Sequence, residues 1–71
     1  MDASRLIYMA EQIARNFQHA GDPVQATVEH IKDFWDPRMI AGLVAADRAA
    51  LGPVAGAVVQ ELARAEAAAA S

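Results

Sequence analysis

The stretch KDFWDPRMI, residues Lys32 to Ile40, contains the only tryptophan of the chain and the signal that divides it into helices. Proline has no backbone N–H and clashes with the preceding turn, so a helix is expected to end before Pro37. An aspartate followed by proline starts a helix well, because Asp36 accepts hydrogen bonds from free amides and proline gives up no donor that is needed there. The stretch therefore predicts that one helix ends near Phe34 or Trp35 and the next begins at Pro37.

Similar signals recur on both sides of this stretch. Asp22-Pro23 and Gly52-Pro53 predict two further helix starts, and Asp2 is a candidate cap for a first helix. Gly21 is the predicted end of that first helix. On the first helix, Glu11 and Arg15 have the i,i+4 spacing of a favourable ion pair.

Between these signals, apolar residues recur at the spacing of one helical face, and no run alternates with the period of a strand. The four sets are Leu6, Ile7, Ala10, Ile13, Ala14 and Phe17; Val24, Val28, Ile31 and Trp35; Met39, Ile40, Leu43 and Val44; and Val54, Val58, Val59 and Leu62. The predicted fold is all-α, a small bundle of three to four short helices forming a single domain over residues 1–71. The alanine-rich tail, residues 63–71, has high helix propensity but nothing large to bury, so we expect it to fray or to lean on a partner.

Size and composition indicate a subunit rather than a free-standing protein. Of the 71 residues, 18 are alanines, which bury little surface, so the core is thin for the conformational entropy that folding must overcome. The chain has no cysteine, which rules out disulfides and thiolate metal sites as reinforcement. Association with another protein surface is the remaining way to stabilise such a chain.

Charge and hydropathy argue against nucleic-acid binding and membrane insertion. The net charge is −3, and the six lysines and arginines are scattered singly rather than in a basic stripe. The longest uncharged apolar run, residues 49–59, is interrupted by Gly52-Pro53 and is far shorter than the roughly 20 residues that a membrane span needs. The Met-Asp start does not resemble a secretory signal. A cytoplasmic location is the expectation.

The sequence offers no set of catalytic, metal-binding or cofactor-binding residues. The candidate nucleophiles are the hydroxyls of Ser4, Thr27 and Ser71, none of which has a base beside it in a recognisable motif, and ordinary structural roles are favoured. His19 and His30 could meet in a helical hairpin, but no further ligand supports a metal site. We expect His19 to favour the end of the first helix and His30 to be half exposed.

Phe34 and Trp35 are the best candidates for an interaction site. Neighbouring helical residues point about 100° apart, so both rings cannot easily enter one thin core. We expect one ring to be buried among Leu6, Ala10, Ile13, Val28 and Ile31, and the other to face a partner together with Arg38. Tryptophan, arginine and methionine are enriched at the centres of interfaces. The predicted partner-binding residues are Phe34, Trp35, Asp36, Pro37, Arg38 and Met39.

Two segments of the chain resemble a known family. MAEQIARNF, residues Met9 to Phe17, and VEHIKDFWDPRMIAGL, residues Val28 to Leu43, are similar to the delta subunit of NAD-dependent formate dehydrogenases that contain molybdenum or tungsten. The most specific part is His30-Ile31 followed by the run from Phe34 to Met39. The resemblance covers roughly residues 6–51.

The resemblance implies a non-catalytic accessory chain that binds the formate dehydrogenase alpha subunit and supports the stability or maturation of the complex. In this family the alpha subunit holds a bis-molybdopterin guanine dinucleotide centre with molybdenum or tungsten, together with iron–sulfur clusters. The beta subunit carries a flavin, FMN, and binds NAD. No cofactor is expected in the delta chain itself.

Two other kinds of protein are compatible with the helical pattern. A small regulator or DNA binder could use the proline-marked turn as a helix-turn-helix, although the acidic balance counts against it. An independent homodimeric helical protein would bury the same apolar surface against a second copy. Salt-dependent DNA binding and mass in solution would distinguish these alternatives from an accessory subunit.

Overall fold

A computed structural model describes residues 2–70, and within them the chain forms four α-helices and no strand. The helices are α1 (Ala3–Asn16), α2 (Pro23–Phe34), α3 (Pro37–Val44) and α4 (Pro53–Ala70), with a 3₁₀ turn at Arg48–Ala50 before α4. The predicted all-α bundle is confirmed. Expectations that concern Met1 and Ser71, including the last residue of the alanine-rich tail, lie outside the described residues.

The predicted helix starts are confirmed, and aspartates cap three of them. Asp22 and Asp36 each accept a hydrogen bond at Oδ1 from the amide three residues later, at 3.1 and 2.9 Å. Asp2 caps α1 by accepting a bond from the Ser4 amide. The proline that follows each of the two later aspartates occupies the first helical position, where its missing N–H leaves no carbonyl unpaired.

The end of α1 differs from the prediction. The helix ends at Asn16, and the Phe17 amide donates to the carbonyls of both Ile13 and Ala14, at 3.2 Å each. Such shared bonds tighten the last turn of a helix. No glycine among residues 2–70 has a positive φ, so Gly21 does not form the left-handed cap on which the prediction rested.

The core lies where all four helices meet. Its buried apolar side chains are those of Leu6, Ala10, Ala14, Val28, Ile31, Trp35, Leu43, Ala55, Val58, Val59 and Leu62. The other apolar residues predicted for α3, namely Met39, Ile40 and Val44, are half-buried and pack against this core. The core therefore follows the sequence pattern closely, with α3 lying nearer the surface than its composition suggests.

Helices α1 and α3 approach each other closely at Gly42. A Cβ atom at this position would lie only 2.7 Å from Cδ1 of Leu6, which is itself fully buried. Ordinary carbon contacts are about 3.5–4 Å, so any side chain at position 42 would have to displace the Leu6 methyl group. A larger residue at this crossing therefore requires the buried Leu6 side chain to repack.

A polar contact joins α1 to the beginning of α4. The Gly52 amide donates to Oε1 of Glu11 at 2.7 Å, in a partly buried position. A carboxylate is stabilised there because the first amides of a helix carry partial positive charge. The predicted pairing of Glu11 with Arg15 is wrong, since among the described side chains the ion pair that forms is Arg64–Glu61 on α4.

The alanine-rich tail is helical over its described residues. α4 continues without a break to Ala70, whereas the sequence suggested that this segment frays or leans on a partner. Ala65 and Ala69 line a groove that Trp35 and Ile40 also line. The described part of the tail therefore forms one side of this groove.

Alanine substitutions at two helical glycines should have opposite effects on stability. At each position alanine has a higher helix propensity than glycine, by up to about 1 kcal/mol. At Gly56 an added Cβ meets nothing within 4 Å, so Gly56→Ala should raise the free energy of unfolding by about 0.5–1 kcal/mol. At Gly42 the displaced Leu6 methyl must repack at a cost of about 1–3 kcal/mol, so Gly42→Ala should lower the free energy of unfolding.

The free energies of unfolding of the two variants and the wild type are measured by urea denaturation, with unfolding monitored by circular dichroism. Gly56→Ala serves as the matched control for helix propensity. Stabilisation by both substitutions would show that Leu6 moves freely and that the α1–α3 crossing does not depend on glycine.

Candidate partner-binding surface

The two adjacent rings of the Phe-Trp pair point in different directions. Trp35 is 7% exposed and belongs to the core with Leu6, Val28 and Ile31, whereas Phe34 is 74% exposed. Trp35 is the first residue after α2, with an extended backbone, and its amide still donates to the Ile31 carbonyl at 2.9 Å. The core takes one ring and the surface the other, as the sequence predicts.

The rest of the predicted site divides in the same way. Asp36 is exposed, but its carboxylate caps α3, and Met39 is half-buried against the core. Pro37 and Arg38 are both exposed on the first turn of α3. Of the six predicted residues, three therefore serve the fold through burial or capping, and Phe34, Pro37 and Arg38 are available to another molecule.

Phe34 belongs to a row of three rings that the sequence analysis did not predict. His30 lies between Phe17 and Phe34, with ring centroids 5.8 Å from the first and 4.7 Å from the second, and both pairs are tilted. We call these three residues the aromatic strip. Such geometry is favourable for aromatic pairs. The i,i+4 spacing of His30 and Phe34 could have predicted that these two rings lie together on α2. The contact with Phe17 could not be predicted in this way, because it depends on how α1 packs against α2.

An open groove lies on the other side of Trp35. It has a volume of about 340 Å³ and is mostly apolar. Its lining residues are Lys32, Trp35, Pro37, Ile40, Leu62, Ala65, Glu66 and Ala69. The groove is formed where the junction between α2 and α3 meets the second half of α4, so the predicted segment has an exposed ring on one side and a shallow apolar depression on the other.

The other residues considered in the sequence analysis, as nucleophile or metal ligand, do not form a catalytic or metal-binding group among the described residues. Thr27 is buried, and its hydroxyl donates to the Pro23 carbonyl at 2.8 Å. His30 is half-buried within the aromatic strip, while His19 is exposed in the turn after α1. Over residues 2–70, no group of three potential ligands lies close enough to hold a metal ion. None of the described helices is long and apolar enough to cross a membrane.

Comparison with models of protein families gives a match over most of the chain. A family model described as "NADH-dependant formate dehydrogenase delta subunit FdsD" matches residues 5–67. The chain belongs to this delta-subunit family. The match includes most of α1, all of α2 and α3 and most of α4, and therefore the whole buried core together with the predicted interaction segment. No curated protein and no solved structure matches the chain.

In the delta-subunit chain, the two rings should make very different contributions to stability. Trp35→Ala removes the largest buried side chain and leaves a cavity, so it should lower the free energy of unfolding by about 3–5 kcal/mol. Phe34→Ala removes a mostly exposed ring and should change it by only about 0.5 kcal/mol. Both changes in the free energy of unfolding are measured by urea denaturation monitored by far-UV circular dichroism. Equal losses would contradict the separate roles assigned to the two rings.

Proposed function

We propose that this chain is a non-catalytic accessory subunit that binds the catalytic alpha subunit of a cytoplasmic NAD-dependent formate dehydrogenase. Its role is to support the assembly or the stability of that complex. Membership in the delta-subunit family supports the association with formate dehydrogenase. The observation that carries the proposed interface is the exposed ring of Phe34 directly beside the buried ring of Trp35.

Phe34 is well suited to anchor a partner because its backbone is held in place. Its neighbour Trp35 is buried in the core. The next residue, Asp36, caps α3 by accepting a hydrogen bond from the Met39 amide. A preorganised side chain loses little conformational freedom on binding, so more of its buried area contributes to affinity. The exposed phenylalanine is thus presented by a rigid part of the fold.

Arg38 complements Phe34 in this proposal. It lies on the first turn of α3, next to the junction that holds Phe34, and is exposed. A guanidinium group is always charged and forms paired hydrogen bonds with a carboxylate or with backbone carbonyls. Aromatic residues, phenylalanine among them, and arginine are both enriched at the cores of interfaces.

The chemistry of formate oxidation belongs, in this proposal, to the other subunits. The bis-molybdopterin guanine dinucleotide centre with molybdenum or tungsten, the iron–sulfur clusters, FMN and NAD are held there. In support, the delta chain contains no cysteine that could ligate a cluster, and its two candidate hydroxyls within the described residues, Ser4 and Thr27, lie at a helix start and in the core. The delta chain acts on the complex through contacts alone.

The interface should respond to substitutions at Phe34 and Arg38 but not at a comparable position elsewhere. Phe34→Ala and Arg38→Ala should each weaken binding to purified alpha subunit at least about tenfold, because truncating a central anchor typically costs about 2 kcal/mol. Both variants should keep the wild-type circular dichroism spectrum. Trp35→Ala should lose helicity and binding together.

Tyr8→Ala is the matched control, since Tyr8 is also a large exposed aromatic residue, 64% accessible, but lies on α1. It should bind like the wild type in the same titration. Wild-type affinity for Phe34→Ala and Arg38→Ala, together with weakened binding by Tyr8→Ala, would move the interface to α1.

The isolated chain should neither oxidise formate nor contain a stoichiometric metal. We expect no formate-dependent NAD reduction and no molybdenum, tungsten or iron by elemental analysis. Adding the chain to a complex prepared without it should lengthen the half-life of formate dehydrogenase activity on warming, because a ligand of the folded state stabilises it. Activity in the isolated polypeptide, or no change in that half-life, would contradict the accessory role.

A further inference from the structure

A second row of exposed side chains runs beside the aromatic strip on α2. Glu29 and Asp33 are four residues apart, as are His30 and Phe34, so each pair lies along one row of the helix surface. Each carboxylate immediately precedes a ring residue, and neighbouring helical positions differ by about 100°. The two rows therefore lie next to each other on the outer side of α2.

These two carboxylates neither cap a helix nor form an ion pair with any of the described side chains. Asp22 and Asp36 cap helices, but neither Glu29 nor Asp33 takes part in an ion pair within residues 2–70, and both are exposed. Like charges at i,i+4 destabilise a helix, and the chain already has a net charge of −3. Lys32 is also exposed on α2, three residues after Glu29, but it forms no ion pair with either carboxylate among the described side chains. A cationic group of a partner would therefore relieve repulsion that the isolated chain leaves unpaired.

We propose that the outer face of α2, made of the aromatic strip with Glu29 and Asp33, binds an arginine-bearing segment of the catalytic subunit. This inference rests on the proposed function and specifies the chemistry of the partner surface. A guanidinium can lie over the exposed ring of Phe34 while its N–H groups donate to a carboxylate of the adjacent row. Ring and carboxylates together fit arginine better than they fit lysine or an apolar side chain.

Charge complementarity selects this occupant over the alternatives. A purely apolar partner helix would cover Phe34 but would also desolvate two unpaired carboxylates, which is strongly unfavourable. A second copy of this chain is the other possible source of arginine, because Arg5 and Arg15 are exposed on α1. The catalytic subunit is favoured because the face adjoins the junction that presents Arg38 in the proposed interface.

The test is to neutralise both carboxylates in the full chain with Glu29→Gln and Asp33→Asn. Binding to purified alpha subunit should weaken at least about tenfold at low salt, and the difference from wild type should shrink as salt screens the charges. The isolated double variant should melt at the same or a slightly higher temperature, because the like-charge repulsion on α2 is gone. Weaker binding by a chain that is no less stable cannot result from unfolding.

The matched control is the double substitution Gln60→Lys and Glu61→Gln on α4, where both side chains are exposed and neither lines the groove beside Trp35. It changes the net charge by the same amount and should leave the affinity within about twofold of wild type, because distant exposed charges contribute little. An equal loss in both double variants would indicate general electrostatic steering and would overturn the inference.

Phe34→Ala separates failure of the inference from failure of the proposed function. If the double variant Glu29→Gln, Asp33→Asn binds fully and Phe34→Ala binds weakly, the inference of an arginine-bearing partner segment is wrong, but the proposed interface stands. Full binding by both variants would overturn the interface as well. If the wild-type chain is a dimer in solution and the Glu29–Asp33 variant is a monomer, the occupant is a second copy and the inference is wrong.

Discussion

The fold depends on the abrupt end of α2 before Pro37. Because proline cannot continue the helix, the chain becomes extended at Trp35, and Asp36 restarts it by capping α3. The break falls directly after two aromatic residues, so that the indole turns into the core while the phenyl ring stays on the surface. One backbone constraint therefore positions the largest side chain of the core, the exposed ring of Phe34 and the first turn of the next helix.

Folding and the proposed recognition of the catalytic subunit therefore share one short segment. In a larger protein the residues that hold the core and those that contact a partner can lie on different elements. Here Trp35 and Met39 pack into or against the core and the exposed Asp36 caps α3, while Phe34, Pro37 and Arg38 extend from the same junction. A thin, alanine-rich core gains from this arrangement, since any partner that covers the outer residues also protects the packing beneath them.

The sequence predicts features that depend on local chemistry and misses those that depend on how helices pack. Aspartate–proline pairs and apolar periodicity are local, so the helix starts and the core could be predicted. The partner of Glu11 could not, because Gly52 reaches it only after α4 has docked, and the i,i+4 spacing to Arg15 suggested a nearer one. Phe17 was likewise expected to follow the core stripe, but α1 ends at Asn16, and its ring joins His30 on the surface side instead.

The bond between Glu11 and Gly52 joins two parts of the chain that are synthesised at different times. Its two ends are 41 positions apart, and α4, which follows it, supplies Ala55, Val58, Val59 and Leu62 to the core. Until α4 has been synthesised, the apolar side chains of the first three helices that pack against α4 stay uncovered, and such exposed surface is prone to aggregation. Folding is thus completed only after translation has passed α4. A chain truncated before Pro53 would be a substrate for chaperones and proteases rather than a smaller working subunit.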